Sequence, residues 1–241
     1  MNLYLLRVGA DSTFYSHKFS DRSYIFIPIP DDERNLIIER AITYQDYTWN
    51  KQPVPDYLLQ RIARQYVHND PEFKTFTYGS PKCNQDGSGE KNYKTLAKIM
   101  KKGDMLTFYA AFTSNGRDIE GYYFFAYFIV DRTIKYCNPD ELKEEDRDRV
   151  RGNHHFIHRL PNQVIVNGDF RSRVLKRAVL LSSRNDREGS NYRPCQLVRN
   201  LLGGYKKSMN RSSIRNIPID ESKITQFRKH LDENGGRIQD P

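Results

Sequence analysis

Sulfur, tryptophan and long apolar runs are scarce in this 241-residue sequence. Its three cysteines, Cys83, Cys137 and Cys195, are far apart, odd in number and in no CxxC pair. That spacing argues against a disulfide framework and against a zinc site, and points to a reducing, cytoplasmic setting. No stretch approaches 18 apolar residues without charge, so no membrane span is expected. The first residues, Met1-Asn2-Leu3-Tyr4, already read as strand and lack the basic start and cleavage site of a signal peptide. A phosphate loop is also missing. Gly87-Ser88-Gly89-Glu90-Lys91 imitates one, but the Walker spacing and the Lys-Ser/Thr ending are absent.

What the chain does have is one apolar tract, residues 103–132. Its two runs, 105–112 and 122–130, consist of aromatic, β-branched and small apolar residues around a Ser114-Asn115-Gly116 turn signal. They read as a β-hairpin, apolar on both faces and therefore central to a covered sheet or small barrel. Around it, strands are expected at 2–8, 23–29, 75–78, 163–167 and 177–182. Helices are expected at 54–66, 92–101, 196–202 and 220–231. Asn138-Pro139-Asp140-Glu141 opens a further polar helix running to Val150. The mixture lacks regular alternation and predicts an α+β fold: a strongly bent mixed sheet or partial β-barrel with covering helices, in a single domain over 1–241.

The net charge of +9 is localised. Residues 151–215 hold fourteen Lys and Arg against three Asp and Glu, whereas the remainder holds 25 against 27. Clustered positive charge is the footprint of a polyanion, most often nucleic acid, although a merely solubilising face has the same composition. Arg171, Arg173, Lys176, Arg177, Lys206, Lys207 and Arg211 carry much of it, interleaved with Phe170, Tyr192 and Tyr205. Cations neutralise phosphates and aromatic rings stack exposed bases, though core packing is the commoner fate of any one ring.

Two constellations invite metal chemistry. His154 and His158 stand four apart, as ligands on one helical face can, but no third ligand is implied nearby. No metal is therefore assigned, and His154 and His155 are read as nucleic-acid contacts or acid/base groups. Asp56, Glu72 and Lys74 imitate the spaced acids and lysine of metal-dependent nucleases, but Asp56 opens a helix and Glu72 follows a proline. No cofactor is named, and a divalent ion is disfavoured.

In order, the motifs are Arg7-Val8-Gly9-Ala10-Asp11-Ser12, Pro28-Ile29-Pro30-Asp31, His68-Asn69-Asp70-Pro71, Gly103-Asp104 with Phe108-Tyr109, and His154-His155. Together they resemble the third nucleotide-modification-associated domain family of prokaryotes and phages, over about residues 1–182. The charged residues Lys91, Lys94 and Lys98 and the basic tail depart from the family pattern. The Gly103–Tyr109 motif has a weaker likeness to the EVE and PUA-like barrels that cradle a flipped or modified base. The resemblance implies a DNA-directed protein of base-modification systems that acts on or recognises an extruded base. Asp11, His68 and Asp70 would be acid/base or base-recognising groups, with Arg7 as charge partner. Tyr44, Trp49 or Tyr109 would stack the base. Turn and cap chemistry accounts for Arg7, Asp11, His68 and Asp70 equally well. Alternatives are a non-catalytic modified-base reader, an RNA-binding PUA-like module, and a nuclease of a restriction system. DNA is expected over RNA as partner.

Overall fold

The computed structural model describes residues 1–9, 16–31, 36–58, 60–81, 100–114, 118–210 and 214–238. The two apolar runs pair antiparallel as β5 (Met105–Thr113) and β6 (Gly121–Tyr136), and every residue of β5 is buried. Because apolar side chains leave both faces, this pair needs neighbours at its edges and cover above and below. On one edge β1 (Leu3–Arg7) runs parallel to β5, and β9 (Arg215–Ile217) pairs antiparallel with β1. Short β2 (Ser16–Lys18) continues along β5 and carries β3 (Tyr24–Ile25).

The other edge is shared along the length of β6. Its first part pairs with β8 (Arg173–Ser183), and its second with β7 (Gln163–Gly168), which pairs in turn with β4 (Thr77–Pro81). Register breaks between Phe108 and Tyr109 and between Val130 and Arg132 bend the ladders. Bulges increase local twist, and the result is a strongly curled, mixed half-barrel in an α+β fold.

The faces of this sheet carry separate cores. One is aromatic: Phe26 stacks on Phe125 at 4.6 Å, and Trp49 meets Phe26 at 5.4 Å and Phe73 at 5.5 Å. The Phe108 bulge turns both Phe125 and Ala126 toward this face. The second face is covered by α4 (Gln196–Leu201) and α5 (Glu221–Gly235). Asp220 caps α5 by accepting from the Lys223 amide at 2.9 Å, and Ile224, Phe227 and Leu231 are buried as their spacing predicts. A third, small cluster joins Ile134, Tyr136 and Ile165 to Leu142 and Val150 of α2 (Glu144–Val150) and its approach.

Two expected helices are broken. Residues 54–66 form a 3₁₀ turn, Pro55–Tyr57, and a single α-turn, α1 (Gln60–Ala63), with Leu58 extended between them. Backbone bonds to another segment outcompete the helix: Tyr44 donates to the Gln65 carbonyl and Val67 to the Ile42 carbonyl. The helix expected from Asn138 likewise splits at extended Leu142 into the turn Pro139–Glu141 and α2, although the predicted Asn138–Glu141 capping box forms. The helix expected at 92–101 lies, but for its last two residues, outside the described residues, as does the Gly87–Lys91 loop. No helix among the described residues is long and apolar enough to cross a membrane.

Phe125 is 0 % exposed at the centre of the aromatic layer, so Phe125→Ala should destabilise the protein by about 3–5 kcal/mol in denaturant unfolding. Phe170, 84 % exposed, is the matched control: Phe170→Ala should stay within about 0.5 kcal/mol of the parent.

Candidate functional site

The densest collection of titratable side chains lies on the aromatic side of the sheet, and loops build it. Residues 29–31 are held antiparallel to 66–68. Asp31 donates its amide to the Tyr66 carbonyl at 2.9 Å, His68 donates to Ile29 at 3.0 Å, and Pro30 bridges Val67. This register sets His68 beside Asp31, with Nδ1 at 3.0 Å from Oδ2. A tight turn, Asp70 amide to His68 carbonyl at 2.8 Å, then turns the chain toward β4.

Asp70 is buried and pinned. Its Oδ1 accepts from the Gly79 amide at 2.9 Å and from Asn153 Nδ2 at 3.0 Å. Asn153, fully buried, has two duties. Its Oδ1 accepts the His155 amide at 3.1 Å, capping α3 (His154–Ile157), while its Nδ2 reaches Asp70 and, at 3.2 Å, Thr77 Oγ1. The cap thus fixes the direction in which α3 presents its histidines. His154 Nε2 contacts Asp31 Oδ2, and His155 Nε2 lies 3.5 Å from Asp70 Oδ2. A Cβ on Gly79 would overlap the His155 ring, so glycine there lets the ring lie against the strand.

His68 is central to the cluster, its ring centroid 4.3 Å from that of His154 and 5.1 Å from that of His155. His158 stacks beyond His154 at 4.5 Å and accepts the Ile37 amide on Nδ1 at 3.0 Å.

The environment separates these groups electrically. Burial alone would raise the Asp31 carboxyl, but hydrogen bonds from His154 and His68 outweigh it and hold the group far below the usual carboxylate range. Burial opposes charge on His68, yet its bond to Asp31 and the negative field of Asp70 and Asp31 raise it above the ordinary histidine value. His154 is lowered, by burial first, its bond to Asp31 notwithstanding. His158 falls to about 4 because of burial and the nearby His154. Imidazoles of unequal basicity beside fixed carboxylates can move protons, and two donor sets, Asp31–His68–His154 and His68–Asp70–His155, are compact enough for one ion each.

The sequence candidates are thus divided. His68 and Asp70 come together as expected. Asp11 and Arg211 lie outside the described residues. Arg7 follows Leu3 and Leu5 onto the opposite face of the sheet, where its guanidinium stands 5.0 Å over Tyr122, so it is separated from His68 and Asp70. The period-2 alternation of a strand explains that correction.

Tyr44, Trp49 and Tyr109 are core residues with 0 %, 4 % and 0 % exposure, not stacking platforms. Tyr44 donates its hydroxyl to the Pro28 carbonyl, and Tyr109 donates to Met209 on the far face. His154 and His155 are buried in the cluster rather than displayed to phosphate. Lys176, Arg177, Lys206 and Lys207 are exposed, whereas Arg171 forms a two-point ion pair with Asp169 and Arg173 holds the carbonyls of Phe170 and Ser172. Glu72 caps its own turn through Lys74 and Thr75, and Asp56 is exposed, which leaves the imitated nuclease triad unassembled.

Sequence reasoning assigned no role to Asp31, although Pro28–Asp31 was a visible motif. It also missed Arg40, Arg147, Arg151 and Arg159. These line a cavity of about 200 Å³ with Phe156 and Ile157 of α3, against a single acid, Asp140.

Among known protein families, residues 2–227 match nucleotide modification associated domain 3. The chain belongs to that family. Membership associates it with nucleotide modification. Comparison with curated proteins and with solved structures returned no match.

Two measurements check this geometry. Asn153→Ala removes one of Asp70's donors and uncaps α3, and should cost about 1–3 kcal/mol in denaturant unfolding. The lowered His158 means that below pH 6.5 the unfolded chain takes up a proton the folded chain refuses. The His158 contribution to stability should therefore be flat above that pH and fall by roughly 2–3 kcal/mol on descending to pH 4, whereas the raised His68 contributes stability that is lost as the pH rises above 6.5. His158→Gln should lessen that fall.

Proposed function

We propose that this chain acts on a base of nucleic acid, DNA before RNA, at the cluster formed by Asp31, His68, Asp70, His154 and His155. The observation that carries the reading is the assembly itself. Two carboxylates and three imidazoles, drawn from three distant segments, are gathered at one point, Asp70, His154 and His155 buried and Asp31 and His68 half-buried, where apolar packing would be cheaper. Family membership, which associates the chain with nucleotide modification, supports the choice of substrate class.

The arginine-lined cavity lies along α3, the helix that presents His154 and His155, and has room for a phosphate. Arg151 also lines the neighbouring cleft of about 590 Å³, at whose rim Phe170 projects. Backbone phosphates held by Arg147 and Arg151 would keep the strand in register while one nucleotide leaves the stack. Inside, His154, held by Asp31, would exchange protons with the extruded base, with His68, Asp70 and His155 beside it.

A second reading, a modified-base reader, is favoured by a separate cleft of about 550 Å³ on the far face. Tyr122, Tyr192, Arg184, Arg187 and Asn210 line it with a single acid, Asp118.

Duplex and single-stranded DNA, plain and base-modified, would be titrated by fluorescence anisotropy across salt and then digested for nucleoside mass spectrometry. Arg147→Ala with Arg151→Ala should weaken binding and lower the log–log salt slope by about 2. His68→Ala should keep binding and abolish any new nucleoside or released base. Affinity lost instead through Lys206→Ala with Lys207→Ala, on DNA left unchanged but bound according to its modification, would select the reader.

A further inference from the structure

His155 breaks the rule that buried polar groups are hydrogen-bonded. Its residue is 6 % exposed, its Nδ1 has no partner among the described residues, and its Nε2 lies 3.5 Å from Asp70 Oδ2. That separation is too long for a hydrogen bond. It does match a different arrangement. Two ligand atoms bonded at about 2.1 Å to one tetrahedral ion lie about 3.4 Å apart.

We propose that His68, Asp70 and His155 hold one divalent transition-metal ion, with Asp31 as the carboxylate that orients His68. His68 engages Asp31 through Nδ1, which leaves Nε2 as its coordinating nitrogen. A carboxylate on the far nitrogen of a ligating histidine is the usual outer partner of such a ligand. The three donors lie within 4.8 Å of one another. Asp70 is already anchored by Gly79 and Asn153, so the site is formed before an ion arrives. Two imidazoles and one carboxylate leave at least one coordination position for water or substrate, on the side where the His68 and Asp31 side chains are 19 % and 12 % exposed.

This ligand composition serves both zinc sites that activate water and non-haem iron(II) sites. The His154–His158 pair, judged from the sequence, lacked a third ligand. The fold provides the missing donors from 68 and 70, and His155 is the partner in this set because His154 Nε2 already contacts Asp31. The inference deepens the function proposed above, since it rests on this cluster being the working site, but its test uses no nucleic acid.

Untagged full-length protein, stripped with chelator, would be titrated with Zn²⁺, with Co²⁺ and, anaerobically, with Fe²⁺. Calorimetry, Co²⁺ absorption and thermal unfolding would be read. One equivalent per chain, with a raised melting temperature and a tetrahedral or five-coordinate Co²⁺ spectrum, is expected. The preferred ion of the titration separates the zinc from the iron alternative. His68→Ala and His155→Gln should abolish stoichiometric binding. Asp31→Asn should weaken it about 10- to 100-fold. His154→Ala and His158→Ala should retain it. Absence of stoichiometric binding by the parent protein overturns the proposal whatever the variants do, and loss in His154→Ala with retention in His155→Gln overturns the ligand set. Failure to bind or change DNA by a protein that takes up one ion would sink the nucleic-acid reading and leave the metal site standing.

Discussion

Everything in this fold follows from a strand pair that is apolar on both faces. β5 and the first ten residues of β6 are buried throughout, which no two-layer arrangement permits unless both sides are covered. The chain meets the demand asymmetrically. Loops and short turns from its first third, with Phe26, Trp49 and Phe73, close one face, and α4 and α5 close the other. The face closed by loops holds the cluster of histidines and carboxylates. Loops can bring Asp31, His68 and Asp70 to one point because their backbone bonds are irregular, whereas α5 can present only its one apolar stripe.

The same asymmetry explains what the sequence disclosed. The central hairpin, the α5 stripe of Ile224, Phe227 and Leu231, the Asn138 cap and the strands expected at 163–167 and 177–182, which lie within the observed 163–168 and 173–183, were legible from local periodicity and capping. Residues 54–66 misled because their four-residue repeat of Leu58, Ile62 and Tyr66 was real, while the segment's hydrogen bonds went to residues 42–44. A periodic pattern records which side chains are buried, not which backbone partner wins.

The site was half legible. His68 and Asp70 announced themselves by residue type, and His154 and His155 by their pairing. Their meeting place depended on tertiary bonds between segments that share no local signal, such as Pro30 with Val67 and Asn153 with Asp70. The aromatic candidates failed for a related reason. Rings suited to stacking a base are equally suited to filling the core of a curled sheet, and Tyr44, Trp49 and Tyr109 fill it. The concentration of charge was read correctly as a tally, but sequence could not say that Arg171 would be neutralised by Asp169 while Arg151 stayed exposed.

The bond between Asn153 and Asp70 spans 83 residues of sequence. During synthesis at about 5–20 residues per second, that interval lasts roughly 4–17 s. Throughout it the Asp70 carboxylate has left the ribosome but its amide partner has not, and α3 does not yet exist. The histidine cluster therefore has all its parts before β8, α4, β9 and α5 are made, so a nascent chain can close the loop-covered face of the hairpin before the helix-covered face exists.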